Sequence, residues 1–248
     1  MTSPSLAASE HQRRDRVLVL GASSGIGLAI AERLAIEPGL ELTVTVPLQA
    51  DVARVRASVG PEVSVEVVDL SADDARAAVD AVAPGHDVLV LSAGLEYVGP
   101  AQHEPEGAFA DLLSVNAAGP GLAATSCLAT MLQRGRGLIV ALGSVTAAAP
   151  RPFLAAYAAS KAAIEFYLLA LADELVGTGV EIQNLRLGPV DTGLGSRGPA
   201  NWSPDRSSPY HDGYLAARRA ADQERDAAIR TPEDVADDVV RRILAFSA

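Results

Sequence analysis

The chain has 248 residues, of which 49% are hydrophobic, so it can bury a substantial core within one α/β domain. Its net charge of -11 argues against nucleic-acid binding, because phosphate recognition needs clustered Lys and Arg side chains. A single cysteine, Cys127, excludes an internal disulfide and a multi-cysteine metal site, and we predict no bound metal. Residues 1–15 lack the apolar core of a secretion signal, and no later segment is typical of a membrane span. We therefore expect a cytoplasmic protein with a disordered tail at 1–15.

Apolar runs typical of buried strands alternate with longer segments of helical periodicity. The predicted strands are residues 16–20, 41–46, 63–68, 87–91, 137–142 and 181–187. The predicted helices are residues 26–34, 73–82, 108–133, 153–176 and 232–246. The alternation predicts an α/β fold in which residues 16–248 form one domain, a doubly wound parallel sheet with helices on both faces.

The last helix and the segment after the last predicted strand carry distinct signals. Thr231 is a predicted N-cap, Pro232 the first helical residue, and Asp234 is placed to reach back to the cap. Residues 193–209 are rich in Gly, Ser and Pro and follow the last predicted strand. Because such sheets bind ligands at the carboxyl ends of their strands, we predict a substrate lid at 193–209 rather than a disordered loop. Four aromatic residues, whose alternative role is ordinary packing, are candidates for the pocket: Tyr97, Phe153, Trp202 and Tyr210.

A glycine-rich turn follows directly after the first predicted strand. Gly21, Gly25 and Gly27 permit a tight bend and close backbone approach, and the next helix presents its N-terminus to a pyrophosphate. The alternative is an ordinary strand-to-helix turn, but the apolar run before it and the helical pattern after it favour dinucleotide binding. Asp69 directly follows the third predicted strand, where its carboxylate is placed either near an adenine amino group or as a helix cap.

Tyr157 and Lys161 stand four residues apart in a helical segment, so they share one helix face. This spacing predicts that the Lys161 ammonium approaches the Tyr157 phenol and lowers its pKa toward neutrality. A phenol of that kind exchanges protons with an alcohol or a ketone. Ser144 follows another apolar run and is predicted at the carboxyl end of a strand, near the site, with capping of the next segment as its alternative role.

In order and spacing, the glycine turn, Asn116, Ser144, Tyr157 and Lys161 resemble the short-chain dehydrogenase/reductase family over nearly the whole chain. The resemblance implies a Rossmann-type fold, a nicotinamide cofactor, and a tyrosine that acts as general acid/base. It further implies that the lysine lowers the tyrosine pKa and holds the nicotinamide ribose, the serine bonds the substrate oxygen, and the asparagine maintains a proton relay. The implied cofactor-binding residues are Gly21, Ser23, Ser24, Gly25, Ile26, Gly27, Leu48, Asp69, Leu70, Ala93, Gly94, Tyr157, Lys161, Gly188, Val190 and Thr192.

Several segments are similar to one branch of that family, which contains 17β-hydroxysteroid dehydrogenase type 1 and the photoreceptor retinol dehydrogenase. They are residues 33–38, 92–95, 143–145, 187–190 and 231–236. The resemblance implies a bulky apolar alcohol or ketone, such as a steroid, and a homodimer or homotetramer formed through the two long helices. Two alternatives stay open: a ketoreductase of polycyclic natural products, and a non-catalytic protein that senses dinucleotides or acts as a scaffold.

The chain departs from the family pattern at three places. Leu20 stands where a threonine is usual, and Ser92 stands where an asparagine is usual. At the end of the second strand, residues 46–49 offer neither an acid for an NAD ribose nor an arginine for an NADP phosphate. Ser23 and Ser24 remain to bond a 2′-phosphate, so NADP(H) is slightly favoured over NAD(H). The exact substrate and the direction of reaction stay open.

Overall fold

Six parallel strands form one sheet in the computed structural model, which describes residues 14–194 and 201–248. The strands are β1 (Asp15–Leu20), β2 (Leu40–Val46), β3 (Ser64–Val67), β4 (Val88–Leu91), β5 (Gly137–Ser144) and β6 (Val180–Leu187). The helices are α1 (Gly25–Leu34), α2 (Gln49–Val59), α3 (Ala75–Val82), α4 (Ala108–Leu113), α5 (Gly119–Arg134), α6 (Ala155–Glu174), α7 (His211–Ala228) and α8 (Pro232–Ser247).

The strand order β3-β2-β1-β4-β5-β6 determines where a ligand-binding cleft opens at the edge of the sheet. The chain moves outward from β1 to β3 and then returns to start β4 on the other side of β1, so the topology reverses between β1 and β4. Leu20 pairs with Leu91 at the ends of these two strands. The loops after β1 and β4 therefore leave the sheet side by side, and a crevice opens between them.

Alternating side chains of β1 supply both layers of the core. Val17 and Val19 face a layer built with α1, α2 and α8, whereas Leu18 and Leu20 face a layer built with α3, α5 and α6. All four side chains are buried, as expected for a central parallel strand with helices on both faces. The predicted fold class, a doubly wound parallel sheet in one domain, is confirmed.

The predicted helix at 108–133 is interrupted by a π-helical turn. The turn, Ser114–Ala118, joins α4 to α5, and it carries Asn116 with its side chain buried. Such π turns widen a helix locally and recur at functional sites. The segments Ala108–Arg134 and Ala155–Glu174 are long and apolar enough by composition to cross a membrane, but both pack against the sheet and are partly buried.

The structure confirms the start of the last helix. The Asp234 N–H donates to Thr231 Oγ1 at 3.1 Å, and the Thr231 N–H donates to Asp234 Oδ2 at 3.1 Å. This reciprocal pair satisfies two backbone groups that a helix N-terminus otherwise leaves without partners.

Two helices were not predicted from the sequence. In α2 the three buried apolar residues, Val52, Val55 and Val59, are separated in the sequence by charged and small residues. The helical periodicity of the sequence is therefore weak there. In α7 only Tyr214 is buried, and the rest of the helix is mainly alanine and charge. Helix α2 is held by packing its few apolar residues into the core layer of α1 and α8, and α7 is held over the cleft mainly by contacts with distant residues. The local sequence pattern reveals neither position.

Two predicted boundaries were wrong. Asp15 is not part of a disordered tail, because it is the first residue of β1 and its carboxylate pairs with Arg136 at 2.6 and 3.0 Å. Phe153 does not start α6, because its φ of 67° lies in the left-handed region, which ordinary side chains rarely adopt. The predicted disorder of residues 1–13 lies outside the described ranges. So does part of the predicted lid, residues 195–200.

Candidate active site

The glycine turn after β1 is built for close approach of backbone. A Cβ on Gly21 would lie 2.5 Å from the Ala93 Cα, and a Cβ on Gly27 would lie 1.9 Å from the Gly21 carbonyl oxygen. The Gly21 N–H donates to Thr45 Oγ1 at 2.9 Å. A threonine of β2 therefore supports the turn in this chain, which has Leu20 where the family usually has a threonine before the first glycine. The turn leads into the N-terminus of α1, whose cap Ser24 makes no side-chain hydrogen bond to the helix. Backbone N–H groups there are suited to a pyrophosphate.

One cleft of about 1270 Å³ lies over the carboxyl ends of the strands. It is lined by every residue that the sequence assigned to cofactor binding, listed here in chain order: Gly21, Ser23, Ser24, Gly25, Ile26, Gly27, Leu48, Asp69, Leu70, Ala93, Gly94, Tyr157, Lys161, Gly188, Val190 and Thr192. Ser144 lines the same cleft. The topology thus brings together residues from loops that are far apart in the chain.

Asn116 lies behind the cleft and holds its wall. Its Oδ1 accepts from the Leu95 N–H at 2.7 Å, and its Nδ2 donates to the Leu95 carbonyl at 2.8 Å and to Ser160 Oγ at 2.9 Å. The Ser160 hydroxyl in turn donates to the Tyr157 carbonyl at 2.8 Å. The amide therefore ties the loop after β4 to the helix that carries Tyr157.

Ser144 ends β5, where the strand meets a short 3-10 turn. Its Oγ accepts from the Thr146 N–H at 3.2 Å and lies 2.8 Å from the Thr146 hydroxyl. The capping role that the sequence left open is therefore present. Ser144 also lies close enough to the Tyr157 phenol to act against the rise in its pKa, so one hydroxyl fixes the turn and faces the reacting group.

Burial controls the acid–base behaviour of Tyr157 and Lys161. Burial, reinforced by the negative charge of Glu96, raises the pKa of Tyr157 to about 12, although Ser144 acts in the opposite direction. Burial also lowers the pKa of Lys161 to about 8, with Glu96 opposing this effect. The prediction that Lys161 lowers the Tyr157 pKa toward neutrality is therefore wrong for the protein alone. Burial disfavours the charged form of both residues, and this cost exceeds the attraction that their spacing predicts.

The lysine is nevertheless held beside the tyrosine. Its Nζ donates to the Leu142 carbonyl at 3.3 Å and lies 6.0 Å from the centre of the Tyr157 ring. A Cβ on Gly94 would lie 3.7 Å from the same Nζ, so the loop after β4 passes directly over the ammonium.

Glu96 is a site residue that the sequence reasoning missed. It lines the cleft with Ser144, Tyr157 and Lys161. Burial raises its pKa, while the positive charges of Arg218 and Lys161 oppose that rise. The sequence signal was its position two residues after Gly94. Burying a charged side chain beside the reacting centre costs free energy, so such a residue is a candidate for a functional role.

Arg54 and Asp51 are two further cleft residues that were missed, since both belong to the unpredicted α2. The Arg54 Nη2 donates to the Ser23 carbonyl at 2.7 Å and to Asp51 Oδ1 at 2.7 Å. A cation therefore stands beside the serines of the glycine turn. Across the cleft, Asp69 Oδ1 accepts from the N–H and the hydroxyl of Ser71 and so closes a local turn. Asp69 does not cap a helix, because α3 begins at Ala75.

Helix α7 forms the rim of the cleft. Ion pairs of 2.5 Å from Arg151 to Glu224 and from Arg225 to Asp191 hold it in place. The Phe153 ring packs edge-on against Tyr214, with centroids 5.3 Å apart, and both rings line the cleft.

Three of the aromatic residues proposed for the pocket have a packing role instead. Trp202 and Tyr210 contact His103 in a ring cluster, and the buried Tyr97 donates its hydroxyl to the His103 carbonyl at 2.9 Å. None of these three lines the cleft. Within residues 14–194 and 201–248, no group of three His, Cys, Asp or Glu side chains is arranged to hold a metal ion.

Comparison with known families agrees with this geometry. A family model described as short chain dehydrogenase matches residues 15–201. Human 17-beta-hydroxysteroid dehydrogenase type 1 is 34% identical over 238 residues, which cover 90% of this chain and 72% of that protein. Bovine retinol dehydrogenase 8 is 30% identical over 244 residues, covering 92% of this chain and 77% of that protein. Both relatives belong to the branch that the sequence motifs resemble.

A solved structure of a variant of actinorhodin polyketide ketoreductase with NADPH superposes with a TM-score of 0.75. It is 25% identical, and the match covers 93% of this chain and 90% of that chain.

Replacement of Glu96 by glutamine is expected to lower the pKa of Tyr157, because the carboxylate charge disfavours the ionised phenol. The measurement is a pH titration of the ¹³Cζ resonance of Tyr157, assigned with Tyr157→Phe. Glu106→Gln removes a charge from an exposed position on the same loop and should leave the titration unchanged. Identical curves for wild type and Glu96→Gln would contradict the assignment.

Proposed function

Because the chain belongs to the short-chain dehydrogenase family, we propose that it catalyses NAD(P)-dependent hydride transfer between a secondary alcohol and a ketone. The observation that carries the proposal is the shape of the cleft. A glycine cradle lies under one end, and Ser144, Tyr157 and Lys161 line the other. A scaffold that only binds a dinucleotide has no need for this proton-transfer set.

The residues present fit a nicotinamide dinucleotide. Gly21, Gly27 and the N-terminus of α1 would hold the pyrophosphate, and Lys161 would hold the nicotinamide ribose. A nicotinamide held there would supply the hydride chemistry, in either direction, between its ring and the carbinol or carbonyl carbon of the substrate. The protein moves the matching proton and orients the substrate oxygen.

Tyr157 is the proton carrier in this proposal. Because its pKa is about 12 in the protein alone, the phenol is neutral at pH 7 and ready to donate a proton to a ketone oxygen. Ser144 would hydrogen-bond that same oxygen. The reverse reaction, oxidation of the alcohol, needs the ionised Tyr157 phenolate. The positive charge of protonated Lys161 stabilises that phenolate.

The substrate that we propose has a bulky, largely apolar skeleton. Similarity to a steroid dehydrogenase and a retinol dehydrogenase supports this class, as does apolar lining from Leu95, Val98 and Leu154. A polycyclic natural product is the second candidate, supported by the structural match to a polyketide ketoreductase. Specificity between the two depends on the rim formed by α7. We also propose a cytoplasmic location.

For the cofactor, we propose a preference for NADP(H) over NAD(H). Arg54 supports this choice, because a guanidinium beside Ser23 is suited to a 2′-phosphate. Asp51 opposes it by pairing with the same guanidinium, so the preference is a modest one.

We further propose a homodimer or homotetramer formed through the long helices α5 and α6. Phe166 and Leu169 on α6 are 69% and 47% exposed, and Leu132 on α5 is 45% exposed. Exposed apolar side chains on adjacent helices are typical of a surface that a partner covers.

Tyr157→Phe is expected to lower kcat about a thousandfold, because the ring remains and the transferable proton is lost. NADPH affinity, measured by fluorescence titration, should stay within twofold of wild type. Turnover is followed as NADPH oxidation with estrone and with a decalone as probes. Tyr167→Phe, on an exposed turn of the same helix, should retain activity. Full activity in Tyr157→Phe would exclude the proposed mechanism.

Arg54→Ala is expected to raise the Kd for NADPH about tenfold and to change the Kd for NADH less than twofold, because only NADPH carries the 2′-phosphate. Parallel fluorescence titrations measure both constants. Arg56→Ala removes an exposed arginine from the same helix but outside the cleft, so it serves as the matched control. Equal weakening of both cofactors in Arg54→Ala would count against the assignment.

Multi-angle light scattering is expected to give a mass of two or four times 25.6 kDa for the wild type. Phe166→Asp should lower that mass, because it places a charge in the proposed interface. A mass of 25.6 kDa at every protein concentration would rule out the oligomer.

A further inference from the structure

Glu96 is a carboxylate on the wall of the cleft at the point where the reaction would occur. It lines the cleft together with Ser144 and Tyr157. It follows Gly94 by two residues, and a Cβ on Gly94 would lie 3.7 Å from the Lys161 Nζ. A substrate with its reacting oxygen at Ser144 and Tyr157 would therefore place its neighbouring atoms near Glu96.

The position of Glu96 is fixed on both sides. Before it, both backbone groups of Leu95 are bonded to the buried amide of Asn116, at 2.7 and 2.8 Å. After it, the Tyr97 side chain is 3% exposed and its hydroxyl donates to the His103 carbonyl. The anchored neighbours fix the backbone from which the Glu96 side chain extends, as a preorganised site requires.

The Glu96 carboxylate makes no hydrogen bond or ion pair with any residue in the described ranges. The positive charges of Arg218 and Lys161 attract it without a direct bond. A partly buried carboxylate is costly unless something bonds it, so its acceptor oxygens are available to a ligand.

Resting on the proposed hydride transfer, we propose that Glu96 accepts a hydrogen bond from a hydroxyl or amino group on the substrate, carried beside the reacting carbon. The enzyme would therefore prefer vicinal diols, hydroxy ketones or amino alcohols over otherwise identical substrates with a single oxygen. The skeleton can still be bulky and apolar, because Glu96 occupies one wall and apolar residues line others.

The chemistry of Glu96 separates the two donor types. A carboxylate binds both a hydroxyl and an ammonium, and a glutamine carbonyl still accepts from a hydroxyl but loses the attraction to a charge. Glu96→Gln should therefore reduce selection for an amino alcohol more than selection for a diol. Glu96→Ala should remove both.

The test compares three probes that share one ring: cyclohexanol, 1,2-cyclohexanediol and 2-aminocyclohexanol. In the wild type with the tighter-binding oxidised dinucleotide, kcat/KM should be at least about tenfold higher for one or both donor-bearing probes than for cyclohexanol. In Glu96→Ala the ratio should fall close to one. Glu106→Gln, an exposed acid on the same loop, should keep the wild-type ratio.

Saturation-transfer NMR of the same probes measures the selection without turnover. Donor-bearing probes should bind the wild type more tightly than cyclohexanol does, and this difference should disappear in Glu96→Ala. Equal ratios in wild type and Glu96→Ala, in binding and in turnover, would overturn the inference. If the wild type binds the donor-bearing probes more tightly but oxidises no alcohol, the proposed function is overturned and the inference about Glu96 is supported.

A merely structural role for Glu96 makes a different prediction. If its purpose were to attract Arg218 and hold α7, then Arg218→Ala and Glu96→Ala would weaken all three probes equally. If Glu96 binds the donor group instead, Glu96→Ala should lower kcat/KM and binding mainly for the two donor-bearing probes. Arg218→Ala should change all three probes to a similar extent. Thermal unfolding of each variant shows that it is folded.

Discussion

The close contact between the loops after β1 and β4 is the constraint on which the rest of the site depends. Gly21 has no Cβ, and one would lie 2.5 Å from the Ala93 Cα, so only glycine lets these loops meet. Their meeting brings the glycine cradle next to Gly94 and Lys161. A larger residue at Gly21 would separate the part of the cleft suited to a pyrophosphate from the part suited to proton transfer.

A second set of contacts fixes the catalytic wall. Asn116, carried by a π turn, bonds Leu95 on one side and Ser160 on the other, and Ser160 bonds the Tyr157 carbonyl. The loop after β4 is therefore tied to the helix that carries the tyrosine. The same amide fixes the backbone that leads into Glu96, so a residue outside the cleft determines where two groups inside it lie.

Much of this arrangement could be predicted from the sequence, because strong local patterns specify it. The apolar runs gave all six strands, and the capping box at Thr231 is present as predicted. What the sequence could not show depends on tertiary environment. Helix α7 has almost no apolar pattern, Arg54 reaches the glycine turn only because α2 packs beside it, and burial, not charge spacing, decides the pKa of Tyr157.

The central claim, that the cleft transfers hydride between a dinucleotide and a carbinol carbon, is tested most directly by single-turnover kinetics. Protein loaded with NADPH deuterated at C4 of the nicotinamide is mixed with excess ketone, estrone first, and reduced-nicotinamide fluorescence is followed. The account predicts oxidation that is slower than with unlabelled NADPH, and deuterium at the carbinol carbon of the product. Binding of NADPH without oxidation by estrone, by decalones or by hydroxy ketones would contradict it.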